Sequence, residues 1–315
     1  HIDWETQTVY ETQAIMGTQE QVVTETRYEE GVGLGGDYSD SLFADNLFIK
    51  TKSDTNIFGN IYGIDTIDIY AKNSIDIKGK MAEGDTNETI SKLDADNSIR
   101  LVSDDTISIS DSAKIIGTNS VVIEAKNSLI LGSEAIANEH AAMDVNDTIS
   151  GYTKGQIEIE STNVTLKSGS DMVLSGTITA SNQLTLSAGD DTVNSVNDGG
   201  ITGDYELELD AKNISISTGT FGGNVNFVGS KINATNSITM NVQAGQVNQS
   251  IGAISTDLLT ADAETKISFA NASVNSVDLS LNDKGNISLV NNKDLEVIDV
   301  EAKNGSIDIT SIGDI

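Results

Sequence analysis

Short runs in which apolar and polar residues alternate recur along most of the chain. Residues 117–131 contain two copies, Asn119–Ile123 and Asn127–Leu131, and in each a turn-forming Asn precedes the apolar run. The first apolar residues of the two runs, Val121 and Leu129, lie eight positions apart. Successive side chains of a strand point to opposite faces, so the outer apolar residues of a run share one face. The pattern predicts short strands with one buried face.

The short spacing between the runs decides among the β architectures. Eight residues are too few for a crossover helix, which excludes a βαβ sheet. Two or three steps of strand and tight corner make a coil of about twenty residues, a typical solenoid repeat. We therefore predict an all-β fold, a right-handed parallel β-helix (β-solenoid) over residues 41–315, with about 12–14 coils. Ile75 with Ile77, and Leu129 with Leu131, should point inward, and Asn side chains should stack at the corners.

Residues 1–40 depart from this repeat and are predicted to form an N-terminal strand arm or cap. Alternation at residues 6–10 and 21–26 favours two strands. A flexible glycine-rich joint follows, formed by Gly31, Gly33, Gly35 and Gly36. Three interpretations of residues 1–30 stay open: a cap over the open end of the core, an arm that pairs with the sheet of a neighbouring molecule, or a disordered leader.

Three longer polar stretches interrupt the repeat and are predicted to be loops that leave the coil. They are Met81–Asp94, Ser133–Asn146 and Ser255–Lys266. In solenoid proteins, the residues that differ in binding specificity commonly lie in such insertions.

Composition narrows the choice of partners. The chain has no Pro, where average usage would give about sixteen, and no Cys. Proline is excluded from central strands, so its absence fits a chain made almost entirely of sheet. Eighteen Lys plus Arg against 48 Asp plus Glu give a net charge of −30. This charge disfavours nucleic acid and anionic membranes, and no apolar run is long enough for membrane insertion.

The motifs NSIDI, NSLIL, GNISL and GSIDI resemble the β-helix shafts of filamentous-haemagglutinin-like exoproteins and large bacterial adhesins. The resemblance covers residues 41–315. It implies an extracellular or cell-surface protein whose shaft serves adhesion or assembly. The partners it implies are other copies of the chain and cell-surface or matrix glycans.

Calcium is the cofactor for which the chain carries a motif. Residues 35–43, GGDYSDSLF, resemble the calcium-binding nonapeptide of repeats-in-toxin proteins, and residues 63–67 and 189–193 match its second half. Carboxylates from successive turns can hold Ca²⁺. The candidate ligands are Asp37, Asp40, Asp65, Asp190 and Asp191. The alternative is that these Asp residues occupy the corner position that Asn takes elsewhere.

An enzyme is disfavoured. Some β-helix proteins cleave acidic polysaccharides with carboxylates and basic side chains on one face. This chain has only two arginines, Arg27 and Arg100, and two histidines, His1 and His140. Its negative charge would also repel a polyanionic substrate. A polysaccharide-active enzyme is therefore kept only as an alternative.

The two ends of the chain lead to a hypothesis of self-assembly. Residues 304–315 still follow the repeat, and the free strand edges of a β-helix recruit further strands unless they are covered. An arm at one end and an open edge at the other would make a head-to-tail contact, which propagates into filaments. The alternative is a piece of a longer adhesin shaft, stabilised by calcium, in which the next coil follows Ile315. The start at His1 without Met fits a processed protein or such a piece.

Overall fold

In the computed structural model, residues 26–28, 32–34, 41–57, 59–78, 91–110, 113–132, 157–189, 199–220 and 223–315 are described. Within these ranges the chain is all-β, and its strands form one continuous sheet. Every strand pair within them is parallel. The predicted parallel β-helix is confirmed.

The strands are β1 (Thr26–Tyr28), β2 (Val32–Leu34), β3 (Ser41–Thr51), β4 (Thr55–Ile57), β5 (Asn60–Ala71), β6 (Ile75–Lys78), β7 (Ser91–Ala95), β8 (Ser98–Ser103), β9 (Ile107–Ser110), β10 (Ala113–Ala125), β11 (Leu129–Leu131), β12 (Ile157–Ser168), β13 (Met172–Leu174), β14 (Thr177–Ala188), β15 (Ile201–Gly203), β16 (Glu208–Thr218), β17 (Val225–Phe227), β18 (Lys231–Val242), β19 (Gln246–Gln249), β20 (Ala253–Ala263), β21 (Lys266–Leu281), β22 (Asn286–Asn291), β23 (Glu296–Ala302) and β24 (Ile307–Ser311).

Each coil contributes to three faces of the solenoid. A long strand such as β10 bends at the exposed pair Thr118 and Asn119, so its first half lies on the first face and its second half on the second face. A short strand such as β11 forms the third face. Polar residues occupy most of the equivalent bends, where the chain turns without breaking the ladder, and the pairing of β10 with β12 shifts register at this point.

One apolar core runs through the centre of the coils. Leu129 and Leu131 have no exposed surface, whereas Ile130 between them is half-buried on the outside of the third face. Ile75 and Ile77 are buried in the same way. The alternation read from the sequence therefore gives the inward and outward positions correctly.

Coil length follows the prediction where the chain runs without insertions. Leu47 pairs with Ile67, twenty residues later, and Leu259 pairs with Val277 after eighteen. Val121 and Val164 are register partners forty-three residues apart, because residues 133–156 separate β11 from β12. From β3 onward the second face therefore has eleven levels among the described residues, fewer than the 12–14 coils predicted. At the usual strand spacing, eleven levels span about 50 Å.

The prediction of a loop at Ser255–Lys266 is wrong. Residues 253–263 form β20, which pairs with β18 on both sides of its bend. Its inward positions on the second face include the small residues Ala261 and Ala263, both buried. Because Ala adds little hydrophobicity and Asp257 marks the bend, the alternation is hard to recognise in the sequence.

The other two predicted loops fall largely outside the described residues. Of Met81–Asp94, residues 91–94 are described and belong to β7. Ser133–Asn146 is not described.

The ladder begins earlier than residue 41. β1 pairs with β3 on the second face, and β2 pairs with β4 on the third. Gly33 of the predicted joint lies within β2. The strands predicted at residues 6–10 and over most of 21–26 lie outside the described residues. Among the described residues no helix has the length and apolar character needed to cross a membrane.

Candidate assembly surface

Side-chain amides form a ladder at the corner between the first and second faces. Asn119 donates to the side-chain oxygen of Asn97 at 2.8 Å, and Asn182 donates to that of Asn163 at 2.9 Å. Asn236 continues the ladder with a donation to another Asn side chain at 2.6 Å. The predicted stacking of corner Asn residues is confirmed. Each of these hydrogen bonds joins neighbouring coils, and together they fix the coil spacing at this corner of the solenoid.

Glycines stack at the corner between the second and third faces. A Cβ added at Gly285 would lie 1.7 Å from the carbonyl oxygen of Thr265, and one added at Gly245 would lie 2.2 Å from that of Gly223. The carbonyl groups of one coil point along the axis at the next coil, so a Cβ at either glycine would collide with backbone; Thr265 occupies the same column in the coil between them. Sequence analysis missed this column, although glycine recurs before the third-face strands of the later coils.

Two fully buried amides hold the last bends of the solenoid. Gln249 accepts hydrogen bonds from the backbone N–H groups of Ala270 and Asn271 at 3.1 and 3.3 Å. Asn291 accepts from the backbone N–H of Val274 at 2.9 Å and donates to its carbonyl oxygen at 3.1 Å. Gly252, which has a positive φ, lies in the same bend as Gln249. Sequence analysis missed the two amides, because an inward polar residue breaks the apolar pattern.

The carboxy-terminal coil exposes side chains that are buried in the coils beneath it. Ile307 of β24 is 47% exposed, although its register partner Ile287 has no exposed surface. Val297 of β23 is 39% exposed above the fully buried Val277. Among the described strands, β23 pairs only with β21 and β24 only with β22, so each has one free edge. We call β23 and β24 the terminal coil. Among the described residues, no strand pairs with the outer edge of either strand, and Ile307 and Val297 are exposed there.

Ion pairs follow the register of the outer columns. Lys167 contacts Glu124 at 3.3 Å, and these two residues are direct register partners of β12 and β10. Lys114 and Glu158, also register partners, are 2.8 Å apart. Opposite charges at the same position of adjacent levels therefore pair in this solenoid. Such exposed pairs are each worth only about 0.2–1 kcal/mol, so their effect is on register more than on stability.

Two side chains on the early coils have shifted pKa values. The hydrogen bond from the Tyr70 hydroxyl to Asp104, at 2.7 Å, raises the pKa of the phenol. The Lys92 ammonium bonds the Asp94 carboxylate at 2.6 Å, and this contact raises the pKa of the lysine. The Tyr70–Asp104 hydrogen bond joins neighbouring coils, whereas Lys92 and Asp94 lie two residues apart on the outside of β7.

Of the candidate calcium ligands, only Asp65 is described. It is exposed at the first corner, and its carbonyl oxygen accepts the backbone N–H of Asn97, the equivalent corner residue of the next coil. Asp37, Asp40, Asp190 and Asp191 lie outside the described residues. No group of three or more His, Cys, Asp or Glu side chains with metal-binding geometry occurs in the described part of the chain. The calcium site stays a prediction, and Asp65 stands where the next coil carries Asn97.

Arg100 shows how the few basic side chains are used. Its guanidinium lies 3.4 Å from Asp68 and 3.6 Å from Glu124, one carboxylate on each adjacent coil. His140 lies outside the described residues.

Comparison with known proteins returned no match for this chain to a family model, a curated protein or a solved structure.

Proposed function

We propose that this chain is an extracellular structural or adhesive protein of the cell surface, and that its copies assemble head to tail into a fibre. The N-terminal segment of one copy would add strands to the terminal coil of the next. The observation that carries this proposal is the exposed apolar end of the terminal coil, with its two free strand edges.

Burial of the exposed apolar surface would stabilise this contact. Full burial of an aliphatic side chain is worth about 1.5–3 kcal/mol. Ile307 and Val297 have lost only part of their accessible surface, so covering them would contribute about 1 kcal/mol each. The backbone groups of both free edges would also gain partners, each worth about 0.5–1.5 kcal/mol net. A strand-on-strand contact therefore suits this surface better than a contact between side chains alone.

The role of the terminal coil in assembly is tested by comparing two lysine variants by analytical ultracentrifugation and electron microscopy. Ile307→Lys places a charge on the apolar end surface, whereas Ser288→Lys places the same charge on the outside of the preceding coil. We expect the parent chain and Ser288→Lys to form filaments and Ile307→Lys to stay monomeric. A parent chain that remains monomeric at high concentration would contradict the proposal.

Deletion of residues 1–30 tests the other half of the contact. The deleted segment includes β1 and the residues before it. We expect the truncated chain to lose polymerisation while keeping its β-rich circular dichroism. Normal polymerisation of the truncated chain would show that the N-terminal segment is not the partner of the terminal coil.

The second candidate is a shaft segment of a longer adhesin that binds cell-surface or matrix glycans and is stabilised by calcium. The motif at residues 35–43 favours it. A melting temperature that falls on addition of a chelator and recovers with Ca²⁺ would support this candidate. Turnover of an acidic glycan by the purified protein would instead support the polysaccharide-active enzyme.

A further inference from the structure

The second face contains a region without charge, although the chain has a net charge of −30. The region comprises the outward side chains of β14, β16 and β18 within residues 183–187, 213–217 and 237–241. All of these side chains are Ser, Thr, Asn or Gln. Along the axis the region is bounded by Lys167 and Asp262, and Lys212 lies at its edge, on the bend of β16. We call this region the neutral face.

A column of hydroxyl groups runs along the centre of the neutral face and continues one level beyond it at each end. The column consists of successive register partners, Thr165, Thr185, Ser215, Thr239 and Thr260. All five side chains point outward and are half-buried or exposed. Within the described part of the chain, none of the five hydroxyls takes part in a hydrogen bond. Their donors and acceptors are therefore directed to whatever lies on this face.

Internal hydrogen bonds hold the side chains on both sides of this column. On the corner side, the side-chain oxygen of Asn213 accepts from Asn236 at 2.6 Å and from the hydroxyl of Ser237 at 3.1 Å. On the other side, the hydroxyl of Ser217 donates to that of Ser187 at 3.3 Å. The threonines of the column are β-branched, so their side chains have few rotamers. The hydroxyl column is therefore held in one repeating arrangement.

The spacing of the neutral face is that of a lattice. Register partners repeat at about 4.8 Å along the axis, and successive outward residues of one strand repeat at about 6.6 Å. Both distances are close to the repeats of oxygen atoms on the prism face of hexagonal ice. Water molecules that bind to this array would lie near the positions of that lattice, because the register within the neutral face is unbroken.

The area and the chemistry of the neutral face argue against other occupants. Three columns over five levels cover roughly 250–500 Å² at the usual strand spacing, less than the 800 Å² or so that each partner buries in a stable protein interface. The face carries no aromatic side chain on which a sugar ring could stack, and no charge that would hold an ionic ligand. An uncharged lattice of water molecules needs only regularly spaced hydrogen-bonding groups.

We propose that the neutral face binds ice, and that the column from Thr165 to Thr260 anchors the ordered water molecules. The inference uses only side chains of five adjacent coils. It is therefore independent of the proposed head-to-tail assembly and of where the chain begins and ends.

Slow freezing of a solution of the full chain tests the proposal. A protein that binds ice is taken up by the growing ice, whereas other proteins are excluded and become concentrated in the remaining liquid. We expect the parent chain to be taken up, and ice crystals grown in its presence to show a gap between their melting and freezing temperatures. Exclusion of the parent chain from the ice would overturn the proposal.

Two lysine variants of β14 show whether the neutral face is responsible. Thr185→Lys places a long charged side chain in the hydroxyl column, whereas Thr179→Lys makes the same change on the first face, between Glu160 and Asp210. Both threonines are half-buried and point outward, so both variants should keep the circular dichroism of the parent. We expect Thr185→Lys to be excluded from ice and Thr179→Lys to be taken up like the parent. Equal uptake of the two variants would overturn the assignment, as would binding of the parent to powdered cellulose, an uncharged polysaccharide, but not to ice.

Discussion

Truncation of Leu129 should destabilise the protein much more than truncation of Ile130, its neighbour in the three-residue strand β11. Leu129 is fully buried in the inward column, between its register partners Ile107 and Met172. Leu129→Ala therefore removes packing with two coils and leaves a cavity, at a cost of about 2–5 kcal/mol. Ile130 lies half-buried on the outside of the same strand, so Ile130→Ala should cost about 1 kcal/mol or less.

Urea unfolding followed by circular dichroism measures the difference. A fall in the midpoint at constant slope gives the change in the free energy of unfolding for each variant. Solenoid coils interact only with their neighbours, so Leu129→Ala should lower the stability of the adjacent coils most, in addition to lowering the free energy of unfolding of the whole protein. Hydrogen exchange should therefore show the largest loss of protection in β9, β11 and β13. If Ile130→Ala costs as much as Leu129→Ala, the assignment of inward and outward positions is refuted.

Three further predictions test the corners and the outer face. Gly285→Ala should lower the free energy of unfolding by about 1–3 kcal/mol, because the new Cβ would meet the carbonyl oxygen of Thr265; an unchanged urea midpoint would show that the corner can relax. Asn291→Ala should cost about 2–4 kcal/mol, since it removes three hydrogen bonds and leaves a buried backbone N–H without its acceptor; loss of hydrogen-exchange protection near β22 would accompany it. The phenol of Tyr70 should ionise at higher pH than an exposed tyrosine, because it donates to Asp104. Its folded pKa lies above the unfolded value, so the stabilisation is complete below the unfolded pKa and is lost as the pH rises through the folded pKa. In spectrophotometric titration, Tyr70→Phe should remove one tyrosine that ionises above the usual pKa.

The candidate surface could be predicted from the sequence only in part. The order of the residues predicted that residues 304–315 continue the repeat. The ion pairs between coils could not be predicted, because Glu124 and Lys167 are forty-three residues apart in the chain and meet only through the register of β10 with β12.

The sequence alone determined the coil and its core, because the information lies in neighbouring residues. Alternation places Leu129 and Leu131 inward, and the preceding Asn127 marks the corner, whatever the rest of the chain does. Only the tertiary structure decided which residues of different coils meet. The contact of Gly285 with Thr265 arises when one coil lies on the next, at a spacing that sequence distance does not reveal once insertions vary the coil length. For the same reason β20 could not be recognised from its composition: pairing with β18 on both sides of the bend, rather than its own apolar content, makes it a strand.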